Sequence, residues 1–196
     1  MNLVDRVKGI LLTPRKEWPV IEAESATTTS IYSKYVIPLA AIPAIAGFIG
    51  TSLIGVGIMG ASIRVPISTG ITGAVVRYVL SLVTVYVLAL IIDALAPSFG
   101  GTKSPIQALK VAAYASTASW VAGIFLVLPG LSLLGLLGLY SLYLLFLGLP
   151  VLMKAPQDKS LAYTLVVIVG AIVLFVVVGA IVNRFVVARP WGLPSP

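Results

Sequence analysis

The chain has 196 residues, of which 59% are hydrophobic and only 10% are charged, whereas about a quarter of the residues of a soluble domain are charged. This composition excludes a water-soluble fold. The net charge of +7 comes from basic residues scattered between long apolar runs, and without a basic stripe we expect no nucleic-acid binding.

The first predicted element is a short amphipathic helix at the N-terminus. One helical face carries five apolar residues, namely Leu3, Val4, Val7, Ile10 and Leu11. Such a helix is expected to lie in the membrane interface. A second short helix is predicted to begin at Pro14 with Thr13 as its cap, and Trp18 within it suits the headgroup layer. Residues 1–34 are therefore predicted to form a cytoplasmic amphipathic region.

Five apolar stretches follow, each close to or above the roughly 20 residues that cross a bilayer. They are predicted at 35–59, 71–96, 106–128, 131–153 and 161–182. Because unpaired peptide groups cannot face hydrocarbon, all five are expected to be helices. The fold class is an all-α membrane protein, with a transmembrane domain at 35–182 and a short extracytoplasmic tail at 183–196.

The connector between the third and fourth stretches is only Leu128–Pro129–Gly130–Leu131, and Pro-Gly favours a tight turn. Two full spans and a re-entrant hairpin are both open here. Either choice returns the chain to the same side of the membrane, so the predicted sidedness does not depend on it.

Basic residues predict that sidedness. With five spans, nine lie on the N-terminal side and four on the other, and an excess of lysine and arginine marks cytoplasmic loops. We therefore expect a multi-pass membrane protein with the N-terminus in the cytoplasm and the C-terminus outside.

Asp93 is the only acidic residue within an apolar span, and charge inside a membrane is rare. Tyr86 shares its helical face, while Lys110, Tyr114 and Thr117 share a face of the next span. These five residues form a candidate intramembrane polar cluster. The favoured interpretation is a structural ion pair between Asp93 and Lys110, and the alternative is a role in ion or proton coupling.

Small residues recur at every fourth position in the first span, at Gly47, Thr51 and Gly55, a pattern typical of close helix packing. We expect this seam to pack within the chain, with a homo-oligomer as the alternative.

Catalysis has few candidate groups. The chain has no cysteine and no histidine, which removes thiol and imidazole chemistry and the common zinc and haem sites. Motifs of hydrolases, metalloproteases and nucleotide-binding enzymes are absent from the sequence. We expect no enzyme, no metal and no cofactor.

Several stretches together resemble the bacterial branch of the Yip family, the Ypt/Rab-interacting membrane proteins. They are Pro14-x-x-x-Trp18-x-x-Ile21-x-x-Glu24, Tyr35-Val36-x-Pro38-Leu39-Ala40-Ala41-Ile42-Pro43, Phe48-Ile49-Gly50, Phe99-Gly100-Gly101-x-x-Ser104 leading to Ala112-Ala113-Tyr114, and Tyr140-Ser141-Leu142-Tyr143-Leu144-Leu145-x-Leu147-Gly148-Leu149. The resemblance implies five spans, a cytoplasmic N-terminus and a location in the bacterial inner membrane.

The eukaryotic branch of this family is linked to Rab GTPases and vesicle traffic, so the resemblance raises the question of GTPase binding. The short N-terminal region and the segment 12–18 depart from that branch, which argues against GTPase binding. We therefore predict a non-enzymatic membrane protein that organises partner proteins or lipids in the bilayer. The alternative is a small channel or transporter with a polar path near Asp93 and Lys110.

Overall fold

The N-terminal region forms a helical hairpin. In the computed structural model, which describes residues 2–58 and 61–186, α1 spans Leu3–Leu12 and α2 spans Pro14–Ala23. Asn2 caps α1, since its side-chain oxygen accepts a hydrogen bond from the Asp5 amide at 2.8 Å. Pro14 begins α2, as expected of a residue that has no N–H to leave unpaired. Thr13 does not cap α2 with its side chain, because its hydroxyl donates back to the Gly9 carbonyl at 3.2 Å.

Five helices long and apolar enough to cross a membrane follow this hairpin in the described part of the chain. They are α3 at Thr28–Ile54, α4 at Ile67–Phe99, α5 at Pro105–Val127, α6 at Pro129–Leu152 and α7 at Gln157–Val186. The prediction of a helical membrane protein with five spans after an N-terminal helix is confirmed. The C-terminal residues 187–196 of the expected tail lie outside the described residues.

The first span begins earlier than its apolar run. The polar residues Thr28 and Thr29 lie in its first turn, because Thr27 and Ser30 form a reciprocal capping box that satisfies the free amides there. The same span ends at Ile54 and not at residue 59. Gly55 has a positive φ of 93°, which favours glycine and ends the helix.

A short antiparallel strand pair then leads to α4, with β1 at Val56–Ile58 and β2 at Ala61–Ile63. Val56 pairs with Ile63 in this hairpin. No strand was predicted here, because the apolar run continues past the end of the helix and residues 55–59 were therefore assigned to the first span.

Several segments depart from α-helical geometry. Residues 32–36 and 49–54 of α3 are π-helical, on either side of Pro38 and Pro43, whose missing N–H groups interrupt the regular hydrogen bonds. The first eleven residues of α6, Pro129–Leu139, form a 3₁₀ helix. At about 2.0 Å per residue this segment advances roughly 22 Å, whereas the same number of residues in an α-helix advances about 17 Å.

The turn between α5 and α6 lies at the far end of the bundle. At the near end, Tyr35 of α3 hydrogen-bonds Thr117 of α5 at 2.7 Å. At the other end, Gly50 approaches the Leu126 carbonyl so closely that a Cβ would collide with it. Helix α5 therefore follows α3 over this whole distance, and the choice between two full spans and a re-entrant hairpin stays open.

The predicted small-residue seam of α3 lies largely inside the protein. Gly47 and Gly55 are buried, and a Cβ on Gly47 would lie 3.1 Å from the Arg77 side chain of α4. Thr51 donates its hydroxyl to the Gly47 carbonyl at 2.7 Å. The Gly47 part of this seam is therefore used for packing within the chain.

Outward-facing surfaces of the bundle are apolar. Phe175 of α7 is 77% exposed and Leu133 of α6 is 75% exposed. Such side chains face lipid in a membrane protein, where they carry no penalty.

Candidate functional site

Helix α2 is packed into the protein. Trp18 is fully buried, as are Ile10 of α1 and Ile21 of α2. Opposite Trp18 lies Gly148 of α6, where a Cβ would come within 2.7 Å of the indole ring. Trp18 therefore contacts α6, because the missing side chain at Gly148 lets the indole sit directly on the α6 backbone, and its position at the depth of the headgroup layer stays a prediction.

The apolar face of α1 is also packed against the bundle. Ile10 is buried, and Leu3, Val7 and Leu11 are half-buried against the core, whereas Val4 remains 58% exposed. The face predicted to contact the membrane interface is turned towards the bundle at every position except Val4. Pattern alone does not distinguish these two destinations, because protein core and lipid both accept apolar side chains.

The α1–α2 hairpin lies along α6 and not flat beneath the bundle. The Tyr140 hydroxyl donates to the Leu11 carbonyl at 3.2 Å, and Trp18 contacts Gly148. These two contacts are eight residues apart on α6, or about 12 Å at 1.5 Å per residue. The hairpin therefore packs against the 140–148 part of α6 and forms an added layer there, which we call the α1–α2 layer.

A buried arginine holds the two helices of this layer together. Arg6 of α1 is 5% exposed, lies 2.5 Å from the Glu17 carboxylate of α2 and also pairs with Glu24. Gly9 makes room for this arrangement, since a Cβ there would lie 2.5 Å from a Glu17 oxygen. Removing one partner of such a buried pair costs about 3–5 kcal/mol, because the other charge is left uncompensated.

Lys110 of α5 binds the C-terminal end of α2. Its ammonium group is 2.8 Å from the Ile21 carbonyl, 3.3 Å from that of Glu22 and 2.5 Å from that of Glu24. The Gln107 amide adds a hydrogen bond to the Glu22 carbonyl at 3.1 Å. A cation at this position satisfies unpaired carbonyls and interacts favourably with the helix dipole.

The expected ion pair between Asp93 and Lys110 is therefore wrong. All three hydrogen bonds of the Lys110 ammonium go to backbone carbonyls. Asp93 is 6% exposed, and its Oδ1 has no hydrogen-bond partner among the described residues.

The other members of the predicted polar cluster also separate. Tyr114 and Thr117 meet at Tyr35 of α3, where the Tyr35 and Tyr114 rings lie 4.4 Å apart and Thr117 shares the hydrogen bond with Tyr35. Tyr86 is 49% exposed on the outer face of α4. The five residues thus fall in different places and do not line one path.

The Arg6 guanidinium connects the charged and aromatic groups, since it lies 5.7 Å from the centre of the Tyr114 ring. Arg6, Glu17, Glu24 and Tyr35 were not among the predicted site residues. The available signal was the pairing of opposite charges across two helices joined by a single residue, together with Gly9 on the facing side.

A second ion pair joins the C-terminal end of α2 to the residue that follows α6. Glu22 of α2 lies 2.7 Å from the Lys154 ammonium, just after α6. The hydrogen bond and positive charge of Lys154 hold the pKa of Glu22 below its ordinary value. Lys154 has a positive φ of 54°, a conformation in which the chain leaves α6.

Between α1, the 24–27 connector and α3 lies a cavity of about 780 Å³. Charged and aromatic groups line it, namely Arg6, Glu24, Lys34, Tyr35 and Tyr114, with Asn2, Leu3, Ser25, Ala26, Ser30 and Ile31 completing the wall. Arg6 and Glu24 are bonded to each other. The exposed Lys34 ammonium and the serines suit binding of a polar group more than a reaction.

Comparison with known proteins places this architecture. The Yip1 domain model matches residues 8–180. The chain is similar to the "Inner membrane protein YohC" of Escherichia coli (strain K12) and to the protein of the same name from Escherichia coli O6:H1. Each is 30% identical over 127 residues, which is 64% of this chain and 65% of the relative's length. No solved structure matches the chain. With five helices suited to cross a bilayer and a family match over most of its length, the chain belongs to the Yip1 domain family of membrane proteins.

Proposed function

We propose that this protein is a non-enzymatic organiser of the bacterial inner membrane, whose α1–α2 layer gathers anionic lipids at the cytoplasmic leaflet. The excess of basic residues on the N-terminal side supports a cytoplasmic location of this layer. Similarity to an Escherichia coli inner membrane protein supports the compartment.

The outward surface of the α1–α2 layer is the observation that carries the proposal. Leu12 is 77% exposed and Val4 is 58% exposed, and the exposed basic residues Lys8, Arg15 and Lys16 lie among them. Anionic lipid attracts each basic residue near the surface with about 1 kcal/mol. An apolar and basic surface attached firmly to five membrane helices is suited to hold such lipids in place.

The bonding of the buried charges supports a role without catalysis. Arg6 is engaged by Glu17 and Glu24, and Lys110 by the end of α2. Catalytic acids and bases must be free to exchange protons with a substrate. These groups instead hold helices together.

A small channel or transporter is the second candidate, and the unpartnered Oδ1 of Asp93 is the observation that favours it. Ion and solute flux into liposomes separates the two. Flux that is lost in Asp93→Asn would support the conduit and count against the organiser.

The proposed function is tested by lipid analysis of the protein extracted in polymer discs directly from the membrane. Anionic lipids should be enriched around the native protein relative to bulk membrane. The double variant Lys8→Gln/Lys16→Gln should lose this enrichment, because it removes two charges from the layer.

The matched control is Lys103→Gln/Lys159→Gln, which removes two exposed charges outside the layer and should retain the enrichment. No enrichment around the native protein, or equal loss in both double variants, would refute the proposal.

A further inference from the structure

A groove of about 610 Å³ runs between α2, α6 and α7, on a different side of the layer from the polar cavity. Its floor and walls include Trp18, Phe146, Pro150 and Leu161, and Arg15 and Ser160 stand among them as polar members. Volumes of 300–1,000 Å³ are typical of sites that enclose an organic ligand.

The walls of the groove continue into the lipid-facing surface. Leu161 is 59% exposed and Phe146 is 39% exposed, so an apolar chain in the groove would remain in contact with the hydrocarbon around it. Pro150 has no N–H, so it cannot donate to the Phe146 carbonyl in the preceding turn. The groove therefore combines apolar walls with a weakened helix hydrogen-bond pattern.

Positive charge marks one end of the groove. Arg15 is exposed and forms no ion pair among the described residues. Ser160 lies in the first turn of α7 together with Asp158. Backbone N–H groups and the helix dipole favour an anion there, and only Ser160 of these two residues lines the groove. None of the described residues lining the groove is acidic.

Trp18 adds an independent polar feature. It lines the groove and is fully buried, and its indole Nε1–H has no acceptor in the described part of the chain. Buried Trp N–H groups usually find a partner. Two of the residues that line the groove, Arg15 and Trp18, thus carry N–H groups that can donate to an oxygen-rich ligand group.

We propose that the groove binds one anionic phospholipid, with an acyl chain along Phe146 and Leu161 and the phosphate at Arg15 and the first turn of α7. A guanidinium matches a phosphate with two parallel hydrogen bonds. This site rests on the proposed function, and it names one specific lipid position within the surface that gathers lipids.

Fluorescence of Trp18 tests the site. In the Trp120→Phe/Trp191→Phe background Trp18 is the sole tryptophan, and bromine atoms on a nearby acyl chain quench it. The full-length protein is placed in phosphatidylcholine vesicles that contain either brominated phosphatidylglycerol or brominated phosphatidylcholine at the same mole fraction. Phosphatidylglycerol should quench Trp18 more strongly.

Arg15→Gln should reduce this preference about fivefold, the effect of one basic residue. Lys103→Gln makes the same charge change at an exposed position outside both the groove and the α1–α2 layer and should retain the preference. Val151→Phe, which fills the groove from α6, should reduce quenching by both lipids. Equal quenching by the two lipids in the native protein overturns the site.

Equal losses in Arg15→Gln and Lys103→Gln also overturn the groove, and the lipid enrichment measured in polymer discs then decides separately on the general lipid-gathering surface. Conversely, selective quenching of Trp18 without lipid enrichment in polymer discs supports the groove and refutes the broader function.

Discussion

Gly148→Ala is the sharpest test of how the N-terminal layer is attached. The added Cβ would lie 2.7, 2.8 and 2.9 Å from three carbons of the Trp18 ring. Ordinary carbon contacts require about 3.5–4.0 Å, so the indole must withdraw by nearly 1 Å. Trp18 is fully buried, and its withdrawal would displace α2 from α6.

Overpacking of this kind costs about 1–3 kcal/mol. Taking about 2 kcal/mol, Gly148→Ala should shift the unfolding equilibrium roughly thirtyfold towards the unfolded state. The measurement is equilibrium unfolding by SDS in mixed micelles, followed by circular dichroism. Alanine favours a helix more than glycine does, so an effect of helix propensity alone would stabilise the protein.

Gly135→Ala on the same helix is the matched control, since no described atom lies within 4 Å of its added Cβ. It should be neutral or slightly stabilising. In the Trp18→Phe background the cost of Gly148→Ala should fall, because the smaller ring can withdraw, and the difference measures the coupling. If Gly148→Ala were no more costly than Gly135→Ala, α2 would not be docked on α6 as described.

Three further predictions use the same unfolding measurement. Gly50→Ala should destabilise the protein by at least about 3 kcal/mol, because the Leu126 carbonyl that it meets is backbone and cannot rotate away; a cost near zero would contradict the α3–α5 packing. Lys110→Met should cost about 3 kcal/mol, since carbonyls at the end of α2 lose their donor, whereas the exposed Lys103→Met should change stability by less than about 0.5 kcal/mol. Equal effects would refute the capping role. Because Lys154 lowers the pKa of Glu22, the pair stabilises the protein above the ordinary pKa of a glutamate, and this contribution is lost as the pH falls through the lowered pKa. Glu22→Gln should therefore reduce stability at pH 7 and lose less of it on acidification than the native protein, and parallel pH profiles would exclude the contribution.

The helical boundaries show where sequence reasoning succeeds and where it stops. Apolar run length predicted the five spans, because hydrocarbon requires every backbone group to be paired within a helix. It placed the start of α3 too late, since the capping box of Thr27 and Ser30 extends the helix into polar residues. It also missed the strand pair after Gly55, where hydropathy carries no signal of the turn.

The candidate site was less accessible to sequence reasoning. The sequence singles out Asp93 as a charge within an apolar segment, but its pairing with Lys110 was inferred from equal depth alone. Depth does not determine the direction in which a side chain points. Lys110 reaches the end of α2 instead, and no local pattern announces that the N-terminal helices return to the bundle.

The sequence by itself determined that this protein resides in a membrane, that five helices cross it and that an amphipathic helix precedes them, because these features follow from the local cost of exposing apolar or peptide groups to the wrong solvent. Only the tertiary structure decided which apolar faces meet protein and which meet lipid. Two glycines, Gly9 and Gly148, provide the space for Glu17 and Trp18. A glycine provides space only for the particular side chain that packs against it. The docking of the N-terminal layer therefore becomes visible only in the tertiary structure, where these distant segments meet.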